Sequence, residues 1–371
     1  MRRAAIAVLA ALVVVVTAAG PVGAVGAFGP RATVIDLNCG TFLISRAVLG
    51  GDGTVRGWAV AEGPGCSDQI WFFQGAGQSW GRVRSPYHGQ VLAAGYDGTG
   101  AYLLYQAADG VRITKRSAGG TFTAGRLLSA ATAPSEGAVI ATGGTWWAVW
   151  TEPTGVDFNG DPLDSLFQAK TYGTDQPRQQ ITFMGSTDED DLNPALARRP
   201  GGGAVLAWRR EHTQFPPSSN IRIATSLDGH WTSRAFTTAG EFEFDQTPAL
   251  ATDATHTYVT WQHGNDRIVE ADNTSGVFRS HTFNTHGGGP SVAVSLGRVF
   301  VAWSTSSGST TLAHVFVAER HASSWTGLNL PQSTPSHEFA AGVTARGGEA
   351  TVRFLSRGSG GQEILNARTQ V

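Results

Sequence analysis

In the stretch VDFNGDPLDSL (Val156–Leu166), Asp157, Asn159 and Asp161 alternate, and Asp164 follows three residues later. Alternation turns three oxygen donors toward one hard cation, and Gly160 permits a sharp turn, so these four residues form a candidate calcium site. The same residues read equally as a loop of Asx turns with no cation. A second acidic run, STDEDD (Ser186–Asp191), is either a solvated loop or part of a cation or ligand site. Common hydrolase signatures are missing. There is no Gly-x-Ser-x-Gly, and His337-Glu338 lacks the second histidine of a zinc protease helix. GDGTVRG (Gly51–Gly57) reads as a turn between strands rather than a phosphate loop, and Asn273-Thr274-Ser275 fits a glycosylation sequon.

Such loops need a scaffold, and the chain repeats one. GPSVAVSLGRVFVAWS (Gly289–Ser304) holds two short apolar runs joined at Leu296-Gly297. The runs are rich in Val, Phe and Trp, which suit pleated strands, and the glycine takes positive φ at little cost. In the second run Val299, Val301 and Trp303 alternate with Phe300, Ala302 and Ser304, so both faces are mostly apolar. That pattern predicts a small sheet covered on both sides. Equivalent runs are Val55–Glu62, Gly100–Gln106, Thr145–Glu152, Gly203–Arg210, His256–Gln262 and Glu349–Ser356. Their aligned positions are Ala61, Tyr105, Trp150, Trp208, Trp261, Trp303 and Phe354. The spacing, roughly 42 to 58 residues, suits four-stranded propeller blades.

Two further marks recur in order. An aromatic follows a small-residue turn at Trp80, Phe122, Trp231, Phe278 and Trp325, predicting the outer turn of a blade with the ring packed between blades. Pro194, Pro248 and Pro290 precede three inner runs, and are expected at the first residue of a strand, where no ladder donor is needed. The fold expected is all-β, a β-propeller of seven blades of four antiparallel strands, with six or eight blades as alternatives. EILNARTQV supplies only a third strand for the last blade, and RATVIDL (Arg31–Leu37) lacks a hairpin partner. Pairing them would close the ring and remove exposed edges.

The N-terminus has the pattern of a secretory signal peptide: Arg2 and Arg3, an apolar run from Ala4 to Ala19, then small residues with cleavage after Ala24 or Ala27. The expected organisation is a signal peptide at 1–27 and one propeller domain at 28–371, secreted and with no membrane span after cleavage. Formal net charge is −2, and loss of Arg2 and Arg3 makes it more negative. No basic field is present to hold nucleic acid. Charged residues are 15 %, against roughly 25 % in ordinary domains, which fits many short strands and tight turns. Cys39 and Cys66, two cysteines in an exported chain, are expected to form one disulfide contributing about 3 kcal/mol.

SLDGHW (Ser226–Trp231) resembles the Asp-box repeat, Ser-x-Asp-x-Gly-x-Thr-Trp, of the sialidase-like BNR-repeat propellers, and SAGGTF (Ser117–Phe122) stands at the same place in another blade. The resemblance implies a propeller and carbohydrate chemistry. Sialidases of that group hold a carboxylate with three arginines, the first in Arg-Ile-Pro, and use a late tyrosine. Here Arg112, Arg222 and Arg267 precede Ile but not Ile-Pro, and the last tyrosine is Tyr258, so no catalytic residue is transferred. The Asp157–Asp164 stretch is similar to the calcium loop of FG-GAP propellers, with Pro162 in place of a glycine.

In a propeller, the segments leading into the inner strands surround the mouth of the central channel. They carry Tyr87 and His88, Glu136, Asp188 to Asp191, Glu241, Glu243, Asp245, His286, His337 and Glu338. Asp191, Glu243, Asp245, His286, His337 and Glu338 are the candidate ligand-binding residues. The expected face is acidic and favours cationic, hydroxyl-rich or metal-bridged ligands. The expected function is a monomeric secreted propeller that binds a glycan, peptide or surface partner without catalysis. The alternative is a sialidase-like glycoside hydrolase or lyase with diverged catalytic residues.

Overall fold

The structure is a computed structural model. It describes residues 26–371 except 40–41, 64, 132, 174, 183–187, 239, 241, 265, 306–312, 332–336 and 358–361. Most of the expected signal peptide, and Glu241, lie outside the described residues. Seven four-stranded antiparallel sheets follow one another. After β1 (Ala32–Asp36), blade 1 contains β2 (Phe42–Leu49), β3 (Val55–Glu62), β4 (Gln69–Ala76) and β5 (Ser79–His88). Blade 2 contains β6 (Gln90–Tyr96), β7 (Gly100–Ala107), β8 (Gly110–Ser117) and β9 (Arg126–Ser129). Blade 3 has β10 (Gly137–Thr142), β11 (Thr145–Val156), β12 (Pro162–Lys170) and β13 (Gln176–Gln180). Blade 4 has β14 (Glu189–Arg198), β15 (Ala204–His212), β16 (Ser218–Ser226) and β17 (Thr232–Ala235). In blade 5 are β18 (Asp245–Thr252), β19 (Thr257–His263), β20 (Arg267–Asp272) and β21 (Arg279–His286). In blade 6 are β22 (Gly288–Ser295), β23 (Arg298–Thr305), β24 (His314–His321) and β25 (Ser324–Asn329). Blade 7 joins β26 (Glu338–Arg346), β27 (Glu349–Arg357) and β28 (Glu363–Thr369) to β1.

The ring closes as the unpaired ends predict. β1 pairs antiparallel with β28, Ala32 opposite Ala367 and Asp36 opposite Ile364. The Cys39–Cys66 disulfide, with Cα atoms 5.5 Å apart, ties the segment after β1 to the β3–β4 connection. It therefore fastens the closing strand of blade 7 to blade 1.

Every repeat lies on the second strand of its blade, and its two apolar faces serve two neighbours. Val299, Val301 and Trp303 of β23 pack with Tyr258 and Ile268 of blade 5. Phe300 and Ala302 on the other face pack with Val343, Val352 and Phe354 of blade 7. Seven such clusters, one per junction, form the core. A buried indole removes roughly 150–250 Å² from water, about 4–6 kcal/mol, so Trp58, Trp147, Trp150, Trp208 and Trp303 dominate the junctions. The turn aromatics add to them: Trp231 of blade 4 lies 5.2 Å from Trp147 of blade 3.

One of two local expectations holds and the other does not. The Leu296-Gly297 turn places both residues at positive φ, 51° and 73°, as a two-residue hairpin matched to strand twist requires. Pro194, Pro248 and Pro290 do not begin their strands. They sit inside β14, β18 and β22, each just after a residue at positive φ (Asn193, Thr247, Gly289) and within a break in register. These strands line the central channel, so a bulge there leaves no ladder partner for the missing proline N–H to serve.

Candidate functional site

The seven inner strands, β2, β6, β10, β14, β18, β22 and β26, enclose an open bore. Its lower half, about 490 Å³, is walled mainly by small apolar residues. The upper half, about 500 Å³, lies nearer the start of these strands and sets a few polar and charged side chains among small apolar ones. Arg46, Glu136, Asn193, Thr247 and Arg353 line it. The bulges set its shape, because Asn193 and Thr247 take φ of 52° and 46° there. Positive φ is uncommon for a β-branched residue, and such strain concentrates at functional sites.

Arg353 comes from β27, one strand behind the wall. It faces the bore because its partner across the ladder is Gly342, where a Cβ would stand 2.4 Å from Arg353 Nη2. The residue is 4 % exposed, and its Nε and Nη1 have no hydrogen-bond partner among the described residues. Burial first, then the neighbouring Arg46 charge, lowers its guanidinium to about 10. Arg46 on β2 is enclosed by the ring yet open to the bore. Its Nε and Nη1 donate to the carbonyls of Leu92 (3.2 Å) and Ser45 (3.1 Å). Burial lowers its pKa, and Glu136 opposes that shift. Glu136 accepts from both the backbone N–H and the side-chain amide of Asn193, so its oxygens are already engaged.

Beside Glu136 lies a pair of buried carboxyls. The Asp164 N–H donates to Asp190 Oδ1 at 2.7 Å, and Ser135 Oγ lies 3.4 Å from Asp164 Oδ2. Burial, then the Asp190 charge, raises Asp164 to about 6. Asp190 is also raised to about 6, by burial first, with Glu211 and Asp191 adding to it. Both groups bind protons more tightly in the folded chain than at the ordinary 3.8. Their stabilisation is therefore complete below about pH 4 and is lost as pH rises through about 6. Asn mimics the protonated form, so a D164N/D190N variant should gain melting temperature over the wild type as pH is raised from 4 to 7. A difference independent of pH in thermal melts would contradict this assignment.

The residues singled out from the sequence fall into separate networks. Asp191 accepts from the Trp208 indole N–H (2.7 Å) and, bidentately, from Arg210 (2.8 and 2.7 Å). Asp245 accepts from the Trp261 indole at 3.1 Å and meets His263 Nδ1 at 2.8 Å. In blade 3 the equivalent indole, Trp150, donates to Glu152, which Arg178 also holds. A clamp of indole, carboxylate and basic side chain thus recurs in three successive blades. Blade 6 keeps Trp303 but has Gly287 at its side, and this indole N–H has no partner among the described residues. Glu338 occupies the same place in blade 7, opposite Ser356 and without an indole. It is fully buried, with Arg31 Nη1 3.8 Å away, and burial raises its pKa to about 6 against the pull of Arg31 and Arg368.

The other residues lie nearer the surface. Glu243 accepts from the Gly240 N–H at 2.8 Å, and exposed His286 pairs with Asp266. His337 Nδ1 accepts from the Ala313 N–H at 3.1 Å, and its ring stacks on Phe339. In the proposed calcium stretch, Asp157 Oδ1 accepts from the N–H groups of Asn159 (2.7 Å) and Asp161 (2.9 Å), closing an Asx turn with Gly160 at φ 87°. Asp164 is engaged instead with Asp190 and Ser135. Among the described residues no group of three or more His, Cys, Asp or Glu side chains comes together as a metal site.

Sequence reasoning counted lead-in segments and so passed over Arg46 and Arg353, which lie on strands. A signal for Arg353 was present. Its aligned positions in the other repeats are Val60, Leu104, Val149, Ala207, Thr260 and Ala302, and only this copy carries a charge.

No family model and no curated protein matches the chain. Solved structures do match over nearly their whole length. A protein of unknown function from Dyadobacter fermentans DSM 18053 is 10% identical, with 91% of this chain and 97% of that chain covered and a TM-score of 0.55. The polysaccharide lyase Uly1 is 9% identical, with 89% of each chain covered and a TM-score of 0.61. An α-L-arabinanase of Penicillium chrysogenum, complexed with arabinobiose, is 10% identical, covers 93% of this chain and 97% of that one, and has a TM-score of 0.48. At these identities the likeness is one of fold. The Asp-box resemblance accordingly extends to the propeller architecture and to no particular family within it.

Proposed function

We propose that the protein is a secreted carbohydrate-binding propeller that seats a glycan in the upper bore, with an anionic group of the glycan held between Arg46 and Arg353. The observation that carries this reading is Arg353, a buried guanidinium with two unpartnered nitrogens beside a second arginine at the wall of a cavity of about 500 Å³. An unpaired buried charge is costly, and a planar guanidinium suits a carboxylate or sulfate bidentately. Hydroxyl-rich sugars also fit the neighbouring Asn193 and Thr247. This centre carries two arginines, which reverses the preference expected from the rim carboxylates: Asp191 and Asp245 are held in clamps and Glu136 by Asn193, while the bore concentrates arginine. Secretion rests on the disulfide and on the N-terminal pattern. The test is affinity electrophoresis against polygalacturonate, hyaluronate and dextran sulfate beside neutral dextran, laminarin and xylan. Retardation by at least one acidic polymer and by none of its neutral counterparts is expected. Equal retardation by both classes, or none, would overturn the reading.

One observation favours a second reading, a diverged glycoside hydrolase or lyase. Asp164 and Asp190 hold carboxyls near 6 beside Glu136, a range suited to general acid–base work. On that reading the retained acidic polymer should be shortened, with new reducing or unsaturated ends appearing at a rate that D190N lowers at least tenfold. No new ends after prolonged incubation of the wild type would leave binding alone.

A further inference from the structure

Exposed leucines and valines are scattered over this molecule, but exposed aromatic rings are not. Among the described residues, four phenylalanines are exposed to solvent: Phe158, Phe215, Phe242 and Phe339. All four lie at the end of the ring where the upper bore opens: in the β11–β12 loop, in the β15–β16 loop, just ahead of β18, and at the second residue of β26. Phe215 and Phe242 form a pair, with ring centroids 5.2 Å apart at 71°. Phe215 is 84 % exposed and Phe242 54 %. No core requirement accounts for them.

The backbone holds this pair outward at a cost. Phe242 takes φ of 60°, a conformation bulky residues rarely adopt. Its N–H donates to the Pro217 carbonyl at 3.0 Å, which fastens the Phe242 segment to the Phe215 loop. Glu243 Oε2 accepts from Gly240 N–H at 2.8 Å and closes the turn around Phe242. Local strain and exposed apolar surface at one place mark an interaction site. The area decides the occupant. Two phenyl rings offer at most roughly 300–500 Å², against about 800 Å² per partner in a stable protein interface. Pro216, Pro217 and Phe244 are half-buried and add only modestly to the patch, and the other adjoining residues, His212, Thr213, Gln214, Ser218 and Glu243, are polar. A sugar ring fits that size, with its C–H face on the electron-rich aromatic face and its hydroxyls toward the polar surround. Phe242 is five residues ahead of Thr247 in the bore wall, so the two are at most about 18 Å apart.

We propose that Phe215 and Phe242 form a second subsite, on which a sugar further along the same polysaccharide lays its apolar face while the acidic residue sits in the bore. This rests on the bore reading above, and the experiment separates the two. The probes are polygalacturonate, hyaluronate and dextran sulfate in affinity gels, with the free sugar acids galacturonate and glucuronate as competitors. F215A/F242A should weaken polymer retardation at least tenfold while leaving competition by the free sugar acids unchanged, because these fill the bore alone. Phe215→Trp, made singly, should keep or strengthen retardation where Phe215→Ala weakens it, a contrast that a merely structural role would not give. R353M should lose both polymer and free-acid binding. Unchanged polymer retardation in F215A/F242A would overturn the aromatic subsite and leave the bore reading standing. Polymer binding that survives R353M but not F215A/F242A would overturn the bore reading instead. If sedimentation shows a wild-type dimer that F215A/F242A dissociates, with polymer retention unchanged, the patch is a contact between copies and the subsite is refuted.

Discussion

Replacing Arg353 by methionine should abolish retention by acidic polysaccharide while raising the melting temperature. The two effects run in opposite directions for one reason. Arg353 is 4 % exposed, with Nε and Nη1 unpartnered among the described residues and Arg46 as a like charge nearby. A methionine of similar length fills the space beside Gly342 and removes a buried charge, a change that is often stabilising by about 1–4 kcal/mol. Binding loses at least one charge-assisted contact, which contributes about 1.5–3 kcal/mol, or roughly ten- to a hundredfold in affinity. Calorimetry with the retained polymer and a thermal melt of the same sample check both signs. A variant that melts lower and binds as the wild type would show that Arg353 is a structural residue.

Asp191→Ala should be among the most destabilising single changes, at about 3 kcal/mol, because it removes the two-point partner of a mostly buried guanidinium and strands an indole N–H at once. Asp191 is 1 % exposed and satisfies both the Trp208 indole and the Arg210 fork. Its removal strands an indole N–H and a guanidinium whose other anionic neighbour is Glu189 at 3.1 Å. Asp245→Ala disturbs the equivalent clamp in blade 5 but should cost less. There the partner is His263, whose side chain is 34 % exposed and meets Asp245 through one nitrogen, whereas Arg210 makes two contacts with Asp191. Urea unfolding of the two variants checks both the size and the order. A loss from Asp191→Ala no greater than that from Asp245→Ala would refute the clamp as a structural device. This prediction also places Asp191 among the residues that hold the blade, although its position in the lead-in segment suggests a ligand contact.

The different outcomes for fold and site follow from what each depends on. Blade number, strand order and ring closure were legible in the sequence because they rest on local, repeated patterns. Alternating apolar positions such as Val299 to Trp303 specify a strand with two covered faces, and seven copies specify seven junctions. The disulfide was legible because the chain has only two cysteines. The lead-in segments were correctly placed at one end of the ring, but the partners of their carboxylates were not readable. Asp191 meets Arg210 across a hairpin, and Glu136 meets Asn193 from the next blade, contacts that depend on register and on bulges absent from any periodic signal. Only the tertiary structure decided that Asp191 and Asp245 are held in clamps, that Glu136 is held by Asn193, and that two arginines face the bore. Arg353 reaches the bore because Gly342 opposite it has no side chain, and that relation exists only once β26 and β27 are paired.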